Sequence, residues 1–145
     1  MYLETESSFG VNLLQQFPIN GSSFVFSPLL IALALSLVHA GSKGSTKKQI
    51  ANAICKGAND GQLIQHYSDL SDSFAKPVNG VEVNLANKAF ANKKFPLKPT
   101  YLTTIKSSYN ASAENLDFKS AGQAAKTTND FVKGQTRGKI PEIIK

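Results

Sequence analysis

The side chains able to do acid–base, nucleophilic or metal chemistry are few: His39, His66 and Cys55, beside ten carboxylates. Neither histidine has a carboxylate or a second histidine at ligand spacing along the chain. His39 sits at the end of an apolar stretch, where capping of terminal helix carbonyls is the expected role. His66 falls in a polar-faced segment and is expected to be solvated. A single cysteine excludes an internal disulfide framework and any multi-cysteine zinc or iron–sulfur site. To act as a nucleophile Cys55 would need a partner base, which no spacing supplies, so a buried, inert thiol is expected. There is no G-x-S-x-G elbow, H-E-x-x-H, P-loop or dinucleotide fingerprint. The sequence thus predicts no catalytic residue, no metal and no cofactor. Asn20-Gly21-Ser22 and Asn110-Ala111-Ser112 match the N-glycosylation acceptor, a triplet that arises often by chance.

The elements that must position these residues come from a chain of 145 residues and 15.6 kDa, 41% hydrophobic and 18% charged. That describes one globular domain over residues 1–145 rather than a disordered chain. Charge is uneven. Residues 1–72 hold four lysines against five acids, and residues 73–145 hold twelve basic residues against five acids. Such asymmetry can mark a polyanion partner. No run of like charge reaches five, however, and the aromatic residues among the lysines fall where a core would also place them, so nucleic-acid binding is not expected. Phe24–Ala40 is apolar and imitates a signal peptide, but no Lys or Arg precedes Lys43 and Glu4 and Glu6 make the leader acidic. It is also too short and too interrupted for a membrane span. A buried helix, no membrane association and a cytoplasmic location are the expectations.

Helical spacing places Phe9, Leu13, Leu14 and Phe17 on one face up to Pro18, and Asn20-Gly21 marks a turn. Ser23–Phe26 reads as a short strand. Ser27-Pro28 opens a helix in which serine caps the free amides and proline occupies a position that needs no donor. From Leu29 to Val38 that helix is apolar except at Ser36, so it should be surrounded by protein. Gly41 and Gly44 close it, and Thr46-Lys47-Lys48-Gln49 has the form of a capping box. Residues 59–75 form an amphipathic helix, and Pro77–Gly80 interrupts the chain. Val81, Val83, Leu85 and Ala89 then alternate with polar residues as in a half-buried strand. Pro99 begins a helix reaching Tyr109, Glu114–Phe118 reads as a strand, and Ser120–Gln123 is a second capping box before a helix that Gly134 and Gly138 end. The pattern is α+β and helix-rich, with about six helices, two or three strands belonging to a larger sheet, and no βαβ alternation.

Four motifs now stand in a specific order. Phe26-Ser27-Pro28-x-x-Ile31-x-x-Ala34-Leu35 continues to Gly41-x-x-Gly44-x-Thr46-x-x-Gln49-Ile50. Ala86-Asn87-x-Ala89-Phe90 follows, then Tyr109-x-Ala111 with Asp117-Phe118. Last comes Asn129-x-Phe131-Val132-x-x-x-Thr136-x-Gly138-Lys139-Ile140. Together, from about Phe9 to Ile144, they resemble the N-terminal two-fifths of the serpin family, and in particular its short-leader intracellular-type members. The resemblance gives Ser27, Pro28, Gly41, Gly44, Thr46, Asn129, Thr136, Gly138 and Lys139 as structural positions of the family motifs.

What the resemblance implies is serine-type endopeptidase inhibition. An exposed reactive loop near the family's C-terminus is cut, inserts as a new strand into the main sheet and leaves the protease trapped as an acyl-enzyme. The matching part contains neither that loop nor the strands that receive it, so no reactive-site bond can be named. A truncated chain that does not inhibit alone is therefore expected, with a protease as partner only for a longer chain. Two positions depart from the pattern: Ser23 stands for asparagine and Leu30 for serine, which removes partners from the network that controls sheet opening. Phe131 replaces tryptophan. The helix that is basic in heparin-binding members shows only His66, Asp69 and Asp72 across Gln62–Ala75. Two other readings stand beside inhibition: a non-inhibitory serpin-like protein acting by binding another chain, with self-association or aggregation through its apolar helix, and a polyanion-binding module using the basic half. By family analogy an extracellular location is the alternative to the cytoplasm.

Overall fold

The computed structural model describes residues 2–18, 21, 23–76, 78–81 and 83–145, with the side chains of residues 2 and 3 left aside. Asn20 and Ser22 of the first glycosylation triplet, Pro77, and Glu82 of the alternating run lie outside the described residues. Six helices and two strands follow in the order α1 (Tyr2–Leu14), α2 (Pro28–Gly41), α3 (Gly44–Ile54), α4 (Asp60–Ala75), β1 (Lys88–Asn92), α5 (Pro99–Tyr109), β2 (Ser112–Leu116) and α6 (Ala121–Gln135). The chain divides into two compact units, residues 1–67 and 68–145, with the boundary inside α4. Among the described residues no helix is long and apolar enough to cross a membrane.

In the first unit α2 starts as its sequence requires. The Ser27 hydroxyl accepts a hydrogen bond from the Leu30 amide at 3.3 Å, and Pro28 takes the first helical position. Its buried face carries Ala32, Leu33, Ser36, Leu37 and His39. The polar Ser36 is tolerated there because its hydroxyl donates to the Leu33 carbonyl at 2.6 Å. Ile54, Cys55, Leu63 and Tyr67 complete this core, and the Tyr67 hydroxyl donates to the Ile54 carbonyl at 2.9 Å. Gly10 of α1 lies against Pro28: a Cβ there would stand 3.1 Å from the proline ring, so the close approach depends on the missing side chain. The opposite face of α2 stays open, with Leu30 at 44% and Val38 at 52% exposure and Ala34 between them also exposed.

Two local expectations are corrected here. Residues 23–27 form no strand, having no ladder partner; Phe24 and Phe26 instead gather on Phe17, with ring centroids 4.9–5.8 Å apart. Thr46 does not cap α3. That helix begins two residues earlier at Gly44, with Lys43 at the cap position and no side-chain bond. A genuine capping box lies elsewhere, before α4, where the Asn59 side chain accepts from the Gln62 amide and Gln62 accepts from the Asn59 amide, both at 3.0 Å.

The second unit is built on β1–α5–β2. The two strands pair in parallel, Lys88 opposite Ser112 through Asn92 opposite Leu116, so α5 is a crossover helix of the kind the sequence reading excluded. Strand pairing is non-local, and for this reason the long alternating run from Val81 yields a ladder only at Lys88–Asn92. Residues 83–87 belong to no strand, although the Asn87 carbonyl accepts from the Ser112 amide at 3.4 Å, and Val78 and Val81 share one isolated antiparallel bridge. The second strand likewise lies two residues earlier than expected. The core here consists of Ile105, Tyr109, Ala111, Leu116 and Ala124, with Ser71 and Thr128 buried among them. Both polar members are satisfied: Ser71 donates to the Tyr109 carbonyl at 3.0 Å and Thr128 to the Ala124 carbonyl at 2.9 Å. Ser120 stands at the cap position of α6, but its side chain makes no capping bond.

Candidate functional site

The motif residues fall into two groups, one per unit. In the second unit, α6 and the turn after it form a compact hydrogen-bonded device. Thr136 caps the helix, its hydroxyl donating to the Val132 carbonyl at 2.8 Å and accepting from the Ile140 amide at 3.1 Å. Arg137 and Gly138 follow with φ of +52° and +79°, and the Gly138 amide reaches back to the Lys133 carbonyl at 2.7 Å. Glycine is needed at position 138 because that φ belongs to the left-handed region. The Lys139 amide donates to the Thr136 carbonyl at 3.0 Å. The chain then returns alongside α6, where Asn129 grips it. Its Oδ1 accepts from the Ile143 and Ile144 amides at 2.9 and 3.0 Å, and its Nδ2 donates to the Ile144 carbonyl at 2.8 Å. The spacing N-x₆-T-x-G therefore has a direct physical meaning: one residue folds the tail back and the other holds it.

Beside this device Phe131 meets Phe90 of β1 edge-on, with centroids 6.2 Å apart. The Lys88 ammonium lies 5.0 Å from the Phe131 ring centre and 5.3 Å from that of Phe90, and pairs with Glu114 at 2.7 Å. Phe131 thus meets an aromatic neighbour edge-on and has a cation beside its ring. A cavity of about 480 Å³ in this unit is lined by Leu85, Lys106, Phe131 and Gln135 among others. Lys106 is its one charged residue, with no acid to pair it, so the cavity holds no acid–base couple.

In the first unit Ser27, Pro28, Gly41, Gly44 and Thr46 bound α2 and open α3. They are positions of backbone geometry rather than of chemistry. Of the two departures, Ser23 is exposed, and Leu30 gives its amide to Ser27 while its side chain points into the open face of α2.

Both histidines have carboxylate partners that the sequence did not reveal. His66, half-buried rather than solvated, stands 2.7 Å from Glu6 of α1, sixty positions away. His39 is fully buried, and its Nε2 lies 3.4 Å from Asp60 without forming a hydrogen bond; Asp60 is held more closely by Lys47. Carbonyl capping by His39 is not seen: both its ring nitrogens lack a hydrogen-bond partner, and Ser42 caps the end of α2 instead, donating to the His39 carbonyl. Burial, helped by the charge of Lys47, pushes the His39 pKa below its ordinary value against the opposing pull of Asp60. The Asp60 carboxyl is lowered, chiefly by its bond to Lys47.

A histidine kept neutral on folding contributes stability that is present above its unfolded pKa, about 6.5, and is lost as the pH falls through the lowered folded value. The urea midpoint is therefore expected to drop between pH 7 and pH 5 in the wild type, and to drop less in His39→Gln, which cannot titrate there. Equal drops in the two would assign acid sensitivity to other groups.

Cys55 is buried, and its thiol is pushed up by burial and by the charge of Glu6, so it is a poor nucleophile. Among the described residues no group of three His, Cys, Asp or Glu side chains could hold a metal ion.

What these residues build is a scaffold, made of helix ends, a crossover strand pair and a tail clamp. The profile of the serpin (serine protease inhibitor) family matches residues 4–145. The chain is 37% identical over 121 residues to the leukocyte elastase inhibitor of Xenopus tropicalis, covering 82% of this chain and 32% of that one. It is 30% identical to the alpha-1-antiproteinase of Rattus norvegicus, covering 87% and 31%. Arabidopsis AtSerpin1 in its native stressed conformation superposes with a TM-score of 0.84 at 28% identity, over 99% of this chain and 38% of that one. Human thyroxine-binding globulin shares the fold, with a TM-score of 0.89 at 24% identity over 97% of this chain and 39% of that one. The chain belongs to the serpin family, a family of inhibitors rather than enzymes. It spans about a third of the length of the curated relatives it matches.

Proposed function

We propose that these residues are the N-terminal scaffold of a serine protease inhibitor that traps its target by reactive-loop insertion, and that the 145 residues do not inhibit alone. The observation that carries this reading is the family match over residues 4–145, together with its restriction to about a third of each relative. Loop insertion needs a loop, a hinge and the central strands that part to receive it. The Ser23 and Leu30 departures leave the control of that parting with fewer hydrogen-bonding groups.

Two proteins test the proposal. The 145-residue chain incubated with elastase is expected to leave protease activity intact and to give no complex that survives denaturant. A chimera in which residues 4–145 replace the matching segment of the Xenopus tropicalis leukocyte elastase inhibitor is expected to give one. A covalent complex with the short chain, or a folded chimera without one, overturns the corresponding half of the reading. A second reading, action by binding another polypeptide, is favoured by the open apolar stripe Leu30, Ala34 and Val38. It predicts a second copy or partner on that face, and sedimentation of wild type against Leu30→Ser/Val38→Ser checks it.

A further inference from the structure

The parallel ladder of the second unit ends at Asn92 opposite Leu116, so both strands leave the sheet at the same end. Two loops therefore emerge together, Lys93-Lys94-Phe95-Pro96-Leu97-Lys98 and Asp117-Phe118-Lys119-Ser120. They are cross-tied: the Lys93 amide donates to the Leu116 carbonyl at 2.8 Å, and its ammonium pairs with Asp117 at 2.6 Å. Asn115 reaches across from β2, its Nδ2 donating to the carbonyls of Asn92 and Phe95 at 3.2 and 3.3 Å. The Lys94 amide donates to the Asn92 side chain at 2.9 Å, and the Lys119 amide to that of Asp117 at 3.1 Å. Yet this tightly bonded backbone buries neither of its aromatic residues. Phe95 is 73% exposed and Phe118 46% exposed.

Exposed aromatic side chains on two neighbouring, hydrogen-bonded loops are the kind of feature that marks an interaction site. Their surroundings are cationic. Lys94, Lys98 and Lys119 are exposed with no acidic partner among the described residues, while Lys93 consumes the one acid of the two loops, Asp117. The Asp117 carboxyl is held below the usual range, first by Lys93 and then by the Lys119 amide, so that pair stays ionised.

We propose that this end of the β1–β2 sheet is a docking surface for an acidic protein segment, whose apolar side chains pack on Phe95 and Phe118 while its carboxylates face Lys94, Lys98 and Lys119. The charge complementarity selects an acidic partner and speeds its encounter, and the aromatic pair supplies apolar area to be covered. Because the loops are already fixed by their own hydrogen bonds, little ordering entropy is lost when the partner arrives. The surface lies within one unit and does not depend on the inhibitory reading.

The test uses the 145-residue chain and a fluorescein-labelled peptide of alternating glutamate and leucine, with a glutamate–serine peptide and phosphatidylcholine–phosphatidylserine vesicles as comparisons. Saturable binding of the glutamate–leucine peptide is expected, weakened by salt, with about tenfold or greater loss in both Phe95→Ser/Phe118→Ser and Lys94→Glu/Lys98→Glu. The glutamate–serine peptide should not bind. Amide exchange of the wild type with bound peptide is expected to slow at residues 93–98 and 117–120, a reading that needs no variant to fold. No saturable binding, binding unchanged in both variants, or protection confined to other residues overturns the proposal. So does binding of the vesicles, but not the peptide, through these side chains.

Discussion

Ile105→Ala is expected to lower the stability of the second unit by about 2–5 kcal/mol, the range for emptying a fully buried aliphatic site. Ile105 has no exposed surface and lies at the centre of a core shared with Tyr109, Ala111 and Leu116. Its carbonyl also receives the Asn110 and Ala111 amides that end α5 and lead into β2. The substitution leaves those backbone bonds in place, so the loss measures packing. Leu102→Ala on the same helix provides the control. Its side chain is 38% exposed, and its removal should cost less than about 1.5 kcal/mol. Urea denaturation of the two variants against wild type checks the difference; equal losses would show that α5 does not bury the face described.

Asn129→Ala is expected to release the tail rather than unfold the helix. Three hydrogen bonds end on this one side chain, each contributing about 0.5–1.5 kcal/mol net, so about 1.5–4.5 kcal/mol holds residues 143 and 144. The readout is exchange of the Ile143 and Ile144 amides, expected to accelerate about tenfold or more. Asn129→Asp separates the contributions, since a carboxylate keeps both accepted bonds and loses only the donor to Ile144. An intermediate acceleration is expected for it. If alanine leaves exchange unchanged, the clamp does not govern the tail.

What could be read from the residues alone was whatever short-range chemistry decides. Ser27-Pro28 starts α2 because a hydroxyl and an absent donor act within one turn, and Gly138 marks a turn because few other residues tolerate its φ. The Pro99–Tyr109 helix was legible for the same reason, whereas the helix after Ser120 was legible from its apolar face, since Ser120 makes no capping bond. The strand at Ser23–Phe26 and most of the one from Val81 were not, because an alternating pattern states that a strand could form and not that a partner is present. The capping box at Thr46 failed against a start at Gly44, while the one at Asn59 was overlooked although it opens the helix read over residues 59–75. The order of family motifs identified the family. The clamp made by Asn129, and the carboxylates beside His39 and His66, required the fold, since they join residues far apart in sequence.

The crossover pair also bears on the order of events during synthesis. Lys88 and Ser112, the first paired residues, are separated by a single helix, so at about 5–20 residues per second the ribosome delivers the second strand about 1–5 s after the first. The β1–α5–β2 segment is thus complete before α6, which supplies Ala124 and Thr128 to the same core. It can pair while α6 is still inside the exit tunnel, so that helix arrives on a ladder whose register, Lys88 opposite Ser112 through Asn92 opposite Leu116, is already set.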